Sequence, residues 1–503
     1  MAGLPIEIAL DDERATQRLG QDLALALRPG DCLALRGDLG AGKSTLARAL
    51  IRCIAADPDL EVPSPTFTLV QSYDLRIPIA HFDLYRIADP DELVELGLDD
   101  ALDDGAVLIE WPEHAQGALP SGRVLIEIEE APRDSRQVRI SGPEPVLQRI
   151  RRSLDIRAFL DAAGHDDTNR QFLQGDASAR TYETVTTAGG EQFILMDAPK
   201  RLIGPVLCDG KRYAEIAHVA EDIRPFVAIA SFLRRSGFRA PEILAQDLDA
   251  GFLLLEDLGR DGILDARGLP ITERWEAAID CLVALHRTDV PQHITMQGGA
   301  DHTIPPFDRE AILIEVDLYL SWYLPHKLGV EPSSKLQERF HAGWNGLIDR
   351  LAQAPKSLVL RDFHSPNILW QADRSGIERI GLIDFQDAMI GPAAYDVASL
   401  VQDARAAVEP ALHDHLLVRY ERIRSEDPGF DPVLFREALA IMECQRATKI
   451  LGIFVRLKKR DAKPGYLRHL PRIEAYLRRA LAHPVLHPLH DCYTEAGITP
   501  SES

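Results

Sequence analysis

The chain has 503 residues, a formal charge of −22 at pH 7 and an apolar fraction of 46%. This length exceeds what one hydrophobic core accommodates, so we expect a globular protein of two or three domains. The negative charge disfavours broad electrostatic binding to nucleic acid or to an anionic membrane. The six cysteines are scattered, no apolar run is long enough to span a bilayer, and no signal-peptide pattern is present. We therefore expect a reduced cytoplasmic protein.

The first elements alternate between strand and helix and lead into a glycine-rich loop. We predict a strand over Pro5–Leu10, a helix over Asp12–Leu27 and a buried strand over Cys32–Leu35. The buried strand runs into GDLGAGKS, which matches the pattern G-x-x-x-x-G-K-[ST], and a helix is predicted over Thr45–Ile54. Strand, loop and helix in this order form the context that a phosphate-binding P-loop requires.

This loop predicts an ATP site with Mg²⁺. Its glycines let backbone N–H groups face the phosphates, Lys43 reaches the β- and γ-phosphate oxygens, and the Ser44 hydroxyl meets Mg²⁺. A P-loop ATPase also needs an acidic residue at the end of a buried strand. Two acids, Asp83 and Glu110, follow predicted strands. The residues predicted to bind the nucleotide are Gly37, Asp38, Leu39, Gly40, Ala41, Gly42, Lys43, Ser44 and Thr45.

Five segments make this part of the chain resemble the TsaE family, the small P-loop ATPases of bacterial tRNA threonylcarbamoyladenosine synthesis. In order, they are GDLGAGKSTLARAL, SPTFTLVQSY, HFDLYR, ELGLDDAL and LIEWPE. The resemblance implies that Ser44 and Glu110 hold Mg²⁺, and that Asp83 acts at the metal shell or on the attacking water. It also implies that Thr66 lies in a nucleotide-sensing loop. TsaB- and TsaD-like partner proteins are implied too, with tRNA contacted only indirectly.

A cluster of turn-forming residues over Ser141–Pro145 predicts a domain boundary. We therefore expect one domain over 1–145 and another over 146–503. A helix predicted over Leu147–Leu160 follows, and it carries four arginines. A solvated helix face is the more common role for such a pattern, and an RNA-binding patch is the alternative.

Two aspartates and an asparagine in the second domain match a kinase pattern. Asp362 and Asn367 lie between two apolar runs, and Asp384 ends a third. The pattern D-x-x-x-x-N followed by D-F supplies a base for an acceptor hydroxyl and ligands for the Mg²⁺ on ATP. Alone, the Asp–Asn pair is more typical of a turn. With Asp384 following, we predict Asp362 as the catalytic base and Asn367 and Asp384 as metal ligands.

Four segments of this domain resemble the aminoglycoside phosphotransferase and choline kinase superfamily: LRDFHSPNILW, LIDFQDAMIGPAAYDVASL, QGDASARTYETV and FILMDAP. Within it, they are most similar to the AmgK family of anomeric kinases for N-acetylmuramate and N-acetylglucosamine. The resemblance implies ATP, Mg²⁺, an amino-sugar acceptor and a role in peptidoglycan recycling. It further implies that Asp396 braces the catalytic loop. The expected fold class is thus an α/β P-loop NTPase followed by an α+β protein-kinase-like fold, with an N-lobe over about 165–258 and a C-lobe over about 259–485.

The nucleotide-binding motifs of this N-lobe are less complete. The turn Gly175–Arg180 would cover the phosphates but contains one glycine. Met196 stands about where a protein kinase carries its phosphate-binding lysine, which leaves that cation unassigned. The run GFLLLEDLG is interpreted as the strand and hinge between the lobes. Adenine is predicted to bind near Glu256 and Leu258.

Three alternatives to a bifunctional fusion stay open. The kinase half could phosphorylate another alcohol, such as an aminoglycoside or a choline-like substrate. It could bind a ligand without catalysis and regulate the ATPase half, although a pure binder has no need of the base Asp362. The P-loop half could be a small GTPase, but no N-K-x-D-like segment follows the loop. For the acceptor site, Trp322 and Tyr323 are candidates, with core packing as the more typical role.

Overall fold

A computed structural model describes residues 3–87, 92–115, 117–132, 135–173, 180–202, 204, 206–208, 210–296, 299 and 301–501. The chain divides into two compact units. The first comprises Met1–Ala198 with Leu244–Glu256, and the second comprises Pro199–Ile243 with Asp257–Ser503. The predicted boundary near Pro145 lies within the first unit and stays a prediction.

The strands are numbered in chain order. They are β1 (Ile6–Leu10), β2 (Cys32–Arg36), β3 (Val70–Tyr73), β4 (Ile79–Asp83), β5 (Ala106–Glu110), β6 (Val124–Glu130), β7 (Arg136–Ser141), β8 (Thr168–Leu173), β9 (Thr181–Thr187), β10 (Gln192–Asp197), β11 (Val206–Cys208), β12 (Lys211–Arg212), β13 (Ile243–Asp247), β14 (Phe252–Glu256), β15 (His293–Thr295), β16 (Asp301–Thr303), β17 (Lys356–Val359), β18 (Ile368–Trp370), β19 (Ile380–Leu382) and β20 (Met389–Pro392).

The α-helices are numbered in the same way. They are α1 (Glu13–Ala26), α2 (Lys43–Ala55), α3 (Glu92–Glu95), α4 (Leu98–Asp104), α5 (Glu144–Ala162), α6 (Tyr213–Ile216), α7 (Arg224–Arg235), α8 (Thr272–His286), α9 (Arg309–Leu318), α10 (Leu324–Leu328), α11 (Ser334–Leu351), α12 (Ala394–Val401), α13 (Pro410–Arg424), α14 (Pro432–Asp461), α15 (Leu470–Leu481) and α16 (His490–Thr494). The elements predicted before the P-loop are confirmed, with ends shifted by one residue, and α2 starts two residues earlier than predicted.

A seven-stranded mixed sheet organises the N-terminal part of the first unit. Its order is β1-β7-β6-β2-β5-β4-β3, with β2 parallel to β5 and β6, and β4 parallel to β5. Strands β4 and β5 are buried throughout, which explains why they are mostly apolar and do not alternate between apolar and polar residues. The exceptions are His81 and the two strand-end acids. Parallel strands end at the same edge of a sheet, so the P-loop, Asp83 and Glu110 meet at one edge.

A five-stranded sheet follows in the same unit, in the order β13-β14-β10-β9-β8. The pairs β8–β9, β9–β10 and β10–β14 are antiparallel. One face of this sheet supplies Val185, Leu195 and Leu254 to a core that also contains Ile156 and Leu160 of α5. The sheet is therefore covered by a helix that precedes it in the chain.

The arginines of α5 overturn the expectation of a solvated face and the alternative of an RNA-binding patch. Each guanidinium pairs with a carboxylate of the first unit, and the most exposed of the four side chains is 33% accessible. Three of the four carboxylates lie outside α5, so the charge pattern of the helix alone could not predict these pairs. The pairs are Arg149–Asp31, Arg151–Glu144, Arg152–Asp197 and Arg157–Asp22.

The second unit is mostly helical, and its described strands form two-stranded sheets. In two of these sheets, β17 pairs with β20 and β18 pairs with β19. Asp362 lies in the segment between β17 and β18, and Asp384 lies between β19 and β20. The 30-residue helix α14 crosses the core and buries more than half of its residues. Within the described part of the chain, no helix has both the length and the apolar composition that crossing a bilayer demands.

Candidate active sites

The P-loop lies between β2 and α2, as predicted. Gly42 precedes α2 with φ +110°, a left-handed backbone that side chains disfavour. A Cβ atom on Gly37 would lie 2.5 Å from the Ile128 carbonyl oxygen, so a side chain there would clash with β6. Arg136 supports the loop from β7 by donating its Nε–H to the Ala41 carbonyl at 2.8 Å. These contacts hold the loop in the curled form that phosphate binding requires.

Lys43 is held by the loop itself. Its Nζ donates to the carbonyl oxygens of Gly37 and Asp38 at 2.7 and 2.9 Å. The ammonium also lies 3.6 Å from the centroid of the Trp111 ring. Burial lowers the pKa of Lys43, and the carboxylates around it, Glu110 first, oppose that shift. Trp111 therefore makes a cation–π contact with the P-loop lysine.

Glu110 connects the P-loop helix to the sheet. One carboxylate oxygen accepts from the Ser44 hydroxyl at 2.9 Å, and the other lies 2.9 Å from His81 Nε2. His81 lies on β4 beside β5 and is 1% exposed. Sequence reasoning missed His81, although its place in the HFDLYR segment, two residues before Asp83, was a usable signal.

Asp83 is paired across the sheet with Glu110, at the last residue of β4. One carboxylate oxygen accepts from the hydroxyls of Ser64 and Thr66 at 2.9 and 2.8 Å. The other accepts from the Tyr85 backbone N–H at 3.1 Å. The predicted loop residue Thr66 is thus tied to the predicted catalytic acid.

The donor set of this site suits Mg²⁺. Hard oxygen ligands are what Mg²⁺ prefers, usually one or two protein groups together with nucleotide phosphates and water. The Ser44 hydroxyl and the Glu110 carboxylate supply two such oxygens at one place. Asp83 holds a further carboxylate at the neighbouring strand end. The residues predicted around the metal therefore lie together, and their roles at the metal stay predictions.

The second candidate site lies between β17 and β20. Asn367 Nδ2 donates to the Asp362 carbonyl at 3.0 Å and to Asp384 Oδ2 at 3.2 Å. Gln386, which replaces the glycine of a D-F-G motif, donates from Nε2 to Asp384 Oδ1 at 2.8 Å. Asn367 thus links the main chain of the predicted base Asp362 to the side chain of the predicted metal ligand Asp384. Amide and carboxylate oxygens again form a donor set suited to Mg²⁺.

Two residues of this site have a left-handed backbone that is uncommon for side chains. Arg361, directly before Asp362, has φ +72°, and Asp384 has φ +60°. Buried Asp396 of α12 accepts from the backbone N–H groups of Leu360 and Arg361 at 2.6 and 3.0 Å. Such strain persists where surrounding contacts enforce it. Asp396 braces the catalytic loop, as the resemblance implied.

A buried charge cluster supports the same loop from behind. Glu315 of α9 is fully buried and contacts the guanidinium of Arg361, the Lys449 ammonium and the Gln445 amide. Burial raises the pKa of Glu315, but the charges of Arg361 and Lys449 outweigh it and lower the pKa to about 2. Arg446 of α14 donates to the Arg361 carbonyl at 2.8 Å. Sequence reasoning missed this cluster because its members are far apart in the chain.

Asp362 remains partly open, with 36% of its side chain exposed. Partial burial raises its pKa, yet nearby positive charge outweighs burial and leaves the pKa below the ordinary value. That charge comes from His364 when protonated and from Lys449 and Arg446. Asp362 is therefore a carboxylate at neutral pH, the form that a proton-accepting or hydroxyl-orienting group needs.

The two predicted adenine contacts, Glu256 and Leu258, belong to different compact units. Glu256 is the last residue of β14, and Leu258 is buried with its carbonyl accepting from Gln371 Nε2 at 2.8 Å. Their adenine role stays a prediction. Of the predicted turn Gly175–Arg180, only Arg180 lies inside the described residues. Met196 is buried on β10, and the phosphate-binding cation stays unassigned.

The aromatic acceptor candidates lie on the turn of π-helix over Tyr319–Tyr323. Tyr323 is fully buried and donates its hydroxyl to Glu474 at 2.6 Å. Its ring stacks on Tyr319 with centroids 5.2 Å apart. Core packing, the more typical role considered for Tyr323, is confirmed.

Two family models match the chain. The model of the phosphotransferase enzyme family matches residues 169–433. The model of the threonylcarbamoyl adenosine biosynthesis protein TsaE matches residues 10–138. The chain belongs to the phosphotransferase enzyme family, and its N-terminal part belongs to the TsaE family. Both resemblances inferred from the motifs are confirmed, as is the fold class of a P-loop domain followed by a kinase-like domain.

Curated relatives match each half separately. The chain is 32% identical over 343 residues to an N-acetylmuramate/N-acetylglucosamine kinase of Caulobacter vibrioides, covering 66% of this chain and 93% of that protein. A kinase of the same name from Pseudomonas aeruginosa is 34% identical, over 61% of this chain and 82% of its own length. A TsaE protein of Rickettsia bellii is 34% identical over 142 residues, covering 28% of this chain and 98% of that protein.

Proposed function

We propose that this protein is a bifunctional enzyme that uses ATP at two sites. The TsaE half hydrolyses ATP as a component of tRNA threonylcarbamoyladenosine synthesis. The phosphotransferase half moves the γ-phosphoryl group of ATP to a hydroxyl of N-acetylmuramate or N-acetylglucosamine. The observation that carries the second activity is that Asn367 hydrogen-bonds both to the main-chain carbonyl of Asp362 and to the Asp384 carboxylate.

In the phosphotransferase half, Asp362 accepts or orients the proton of the acceptor hydroxyl as it attacks the γ-phosphorus. Asn367 and Asp384 would hold Mg²⁺, which when bound neutralises charge on the phosphates. Gln386 keeps the Asp384 carboxylate oriented through its 2.8 Å hydrogen bond. The anomeric O1 as acceptor atom and a role in peptidoglycan recycling come from the resemblance to the AmgK family. The relatives favour an amino sugar over an aminoglycoside or a choline-like alcohol.

In the TsaE half, Lys43 and the P-loop backbone bind the phosphates, and Ser44 and Glu110 would hold Mg²⁺. Asp83, at the neighbouring strand end, would orient a water molecule for attack. The membership of this half in the TsaE family implies that its hydrolysis serves partner proteins similar to TsaB and TsaD. These partners would contact the tRNA, which fits the net charge of −22.

The test is product analysis with Mg-ATP and either sugar, comparing the intact protein with Asp362→Ala and Lys43→Ala. We expect a sugar phosphate from the intact protein and from Lys43→Ala, and none from Asp362→Ala. ATP hydrolysis in the presence of the TsaB- and TsaD-like partners should show the opposite dependence on the two variants. Absence of any sugar phosphate from the intact protein would reject the amino-sugar activity and leave the P-loop assignment standing.

A further inference from the structure

Helix α5 is a structural member of both halves. Leu147 and Ile150, in its first part, are buried in the core around the seven-stranded sheet. Ile156 and Leu160, in its last part, are buried in the core of the five-stranded sheet, which belongs to the phosphotransferase half. The helix is continuous over 19 residues. A flexible linker between the two cores is therefore absent from this described segment.

Buried charges join the same two halves. Asp22 of α1 accepts from Arg157 of α5 at 2.9 Å and from Arg170 of β8 at 2.7 Å. Arg170 also donates to both carboxylate oxygens of Glu183 on β9, at 2.7 and 2.9 Å. The four side chains are between 0 and 10% exposed. Charges this deeply buried tolerate little displacement, because separating them would leave each one desolvated and unpaired.

The P-loop helix touches this network directly. Helix α2 begins at Lys43 and carries Cys53 in its last turn. The Cys53 thiol donates to the Arg170 carbonyl at 3.5 Å. The helix that presents the phosphate-binding lysine at one end thus contacts strand β8 of the phosphotransferase half at the other.

Helix α5 also contacts strand β14, whose last residue is the predicted adenine contact Glu256. Arg152 of α5 donates to Asp197 on β10 at 2.5 Å and to the Ala250 carbonyl at 2.6 Å. Its guanidinium lies 4.0 Å from the centroid of Phe252, the first residue of β14. Strand β14 ends at Glu256. Helix α2 thus contacts β8, and helix α5 contacts β10 and β14, so both helices are packed against the five-stranded sheet.

We infer that the two nucleotide sites are coupled positively through this shared unit, so that nucleotide at the P-loop strengthens nucleotide binding by the phosphotransferase half. Binding at the P-loop restricts the motion of α2, and the sheet packed on α2 and α5 then loses less conformational entropy when its own nucleotide binds. The inference rests on the proposed function, because it requires two ATP sites. It gives the fusion a physical consequence that two separate proteins would lack.

Calorimetric titration of the full-length protein with Mg²⁺ and a non-hydrolysable ATP analogue tests the coupling. Lys43→Ala isolates the phosphotransferase site, and Asp384→Ala isolates the P-loop site. Without coupling, the overall constant for binding two nucleotides to the wild type equals the product of the two single-site constants. We expect the wild-type constant to exceed that product by about five-fold or more, the lower end of common allosteric couplings. Equality would overturn the inference.

Variants of Asp22 and Cys53 test whether the coupling passes through the buried contacts between the two halves. In Asp22→Asn and, separately, in the milder Cys53→Ala, the excess over the product should fall toward one. Arg14→Ala is the matched control, because Arg14 pairs with Asp167 across the same pair of halves but is 63% exposed. Arg14→Ala should keep the full excess.

An excess that persists in both Asp22→Asn and Cys53→Ala would show that the coupling does not pass through these contacts. Thermal unfolding confirms that each variant folds. The readout is nucleotide affinity and needs no sugar, so failure of the amino-sugar activity is distinguishable from failure of coupling.

Discussion

The two candidate sites assemble similar groups by different structural means. At the P-loop, Asp83 and Glu110 are the last residues of adjacent parallel strands, in register with each other. The phosphotransferase site instead sets Asp362 and Asp384 on loops, with a left-handed backbone at Arg361 and at Asp384 itself. The first arrangement follows from the order of strands, while the second depends on contacts from distant helices.

This difference shows where each site is vulnerable. The P-loop site draws on neighbouring strands, and its helper His81 lies on the same strand as Asp83. The phosphotransferase loop is held by Asp396 on α12 and by Glu315 on α9, together with cations from α14. Substitutions far from the chemistry should therefore harm the phosphotransferase half more than the P-loop half. Five predictions examine this contrast.

The largest effect is expected at the base itself. Asp362→Asn should reduce the rate of sugar phosphate formation by about 10²- to 10⁴-fold, because the amide cannot accept the hydroxyl proton. Steady-state kinetics with Mg-ATP and the sugar measure the change. Asp373→Asn, at a side chain that is 77% exposed, is the control and should leave the rate unchanged. A reduction of less than ten-fold in Asp362→Asn would contradict the role of base.

Removing the distant support should act mainly through stability. Glu315→Gln leaves Arg361 and Lys449 buried without their counter-charge, which should lower the free energy of unfolding by about 3–5 kcal/mol. Denaturant unfolding measures the loss, with Glu310→Gln, whose side chain is 66% exposed, as the control. A loss no larger than that of the control would mean that the cluster does not support the loop.

The same variant predicts a pH dependence. The folded-state pKa of Glu315, about 2, lies below the ordinary value of 4.5. The carboxylate therefore contributes stability that is complete above pH 4.5 and is lost as the pH falls toward 2. The difference in unfolding free energy between wild type and Glu315→Gln should shrink over that interval. If the difference in unfolding free energy stays constant over that interval, ionisation of Glu315 does not contribute to stability.

At the P-loop, substitution of His81 should lower activity less than substitution of Asp362 does in the phosphotransferase half. His81→Leu removes the partner that orients Glu110 and should lower ATP hydrolysis by about 10- to 100-fold, as for other groups that orient a metal ligand. His81→Gln places an amide donor near the position of Nε2 and should recover most of the activity. The Mg²⁺ dependence of hydrolysis should shift in His81→Leu only. Equal activities of the two variants would show that His81 merely fills space.

The smallest effect is expected at an exposed contact between the halves. Arg14 and Asp167 form an ion pair whose side chains are 63% and 43% exposed. Arg14→Ala should therefore cost less than about 1 kcal/mol of unfolding free energy. Denaturant unfolding of the wild type and of Arg14→Ala measures this loss. A loss above 2 kcal/mol would place the exposed rim, rather than the buried Asp22 network, among the principal contacts.

Local sequence determined much of this protein. The P-loop from Gly37 to Ser44, its flanking strand and helix, and the kinase pattern of Asp362, Asn367 and Asp384 all depend on short-range spacing, which a chain displays directly. The strand-end acids Asp83 and Glu110 were predictable for the same reason. Such motifs are readable from sequence because a turn or a strand end fixes the relative positions of residues that lie only a few positions apart.

Only the tertiary structure decided which distant residues meet. The arginines of α5 suggested a solvated face, yet Arg157 reaches Asp22 and Arg152 reaches Asp197, because partners were supplied from other elements. Glu315 and Arg361 meet only when α9 packs behind the catalytic loop. Burial turns such charges into fixed pairs, because a desolvated charge is costly unless an opposite charge compensates it. Local patterns therefore identified the chemistry, and long-range burial decided how the two halves are supported and joined.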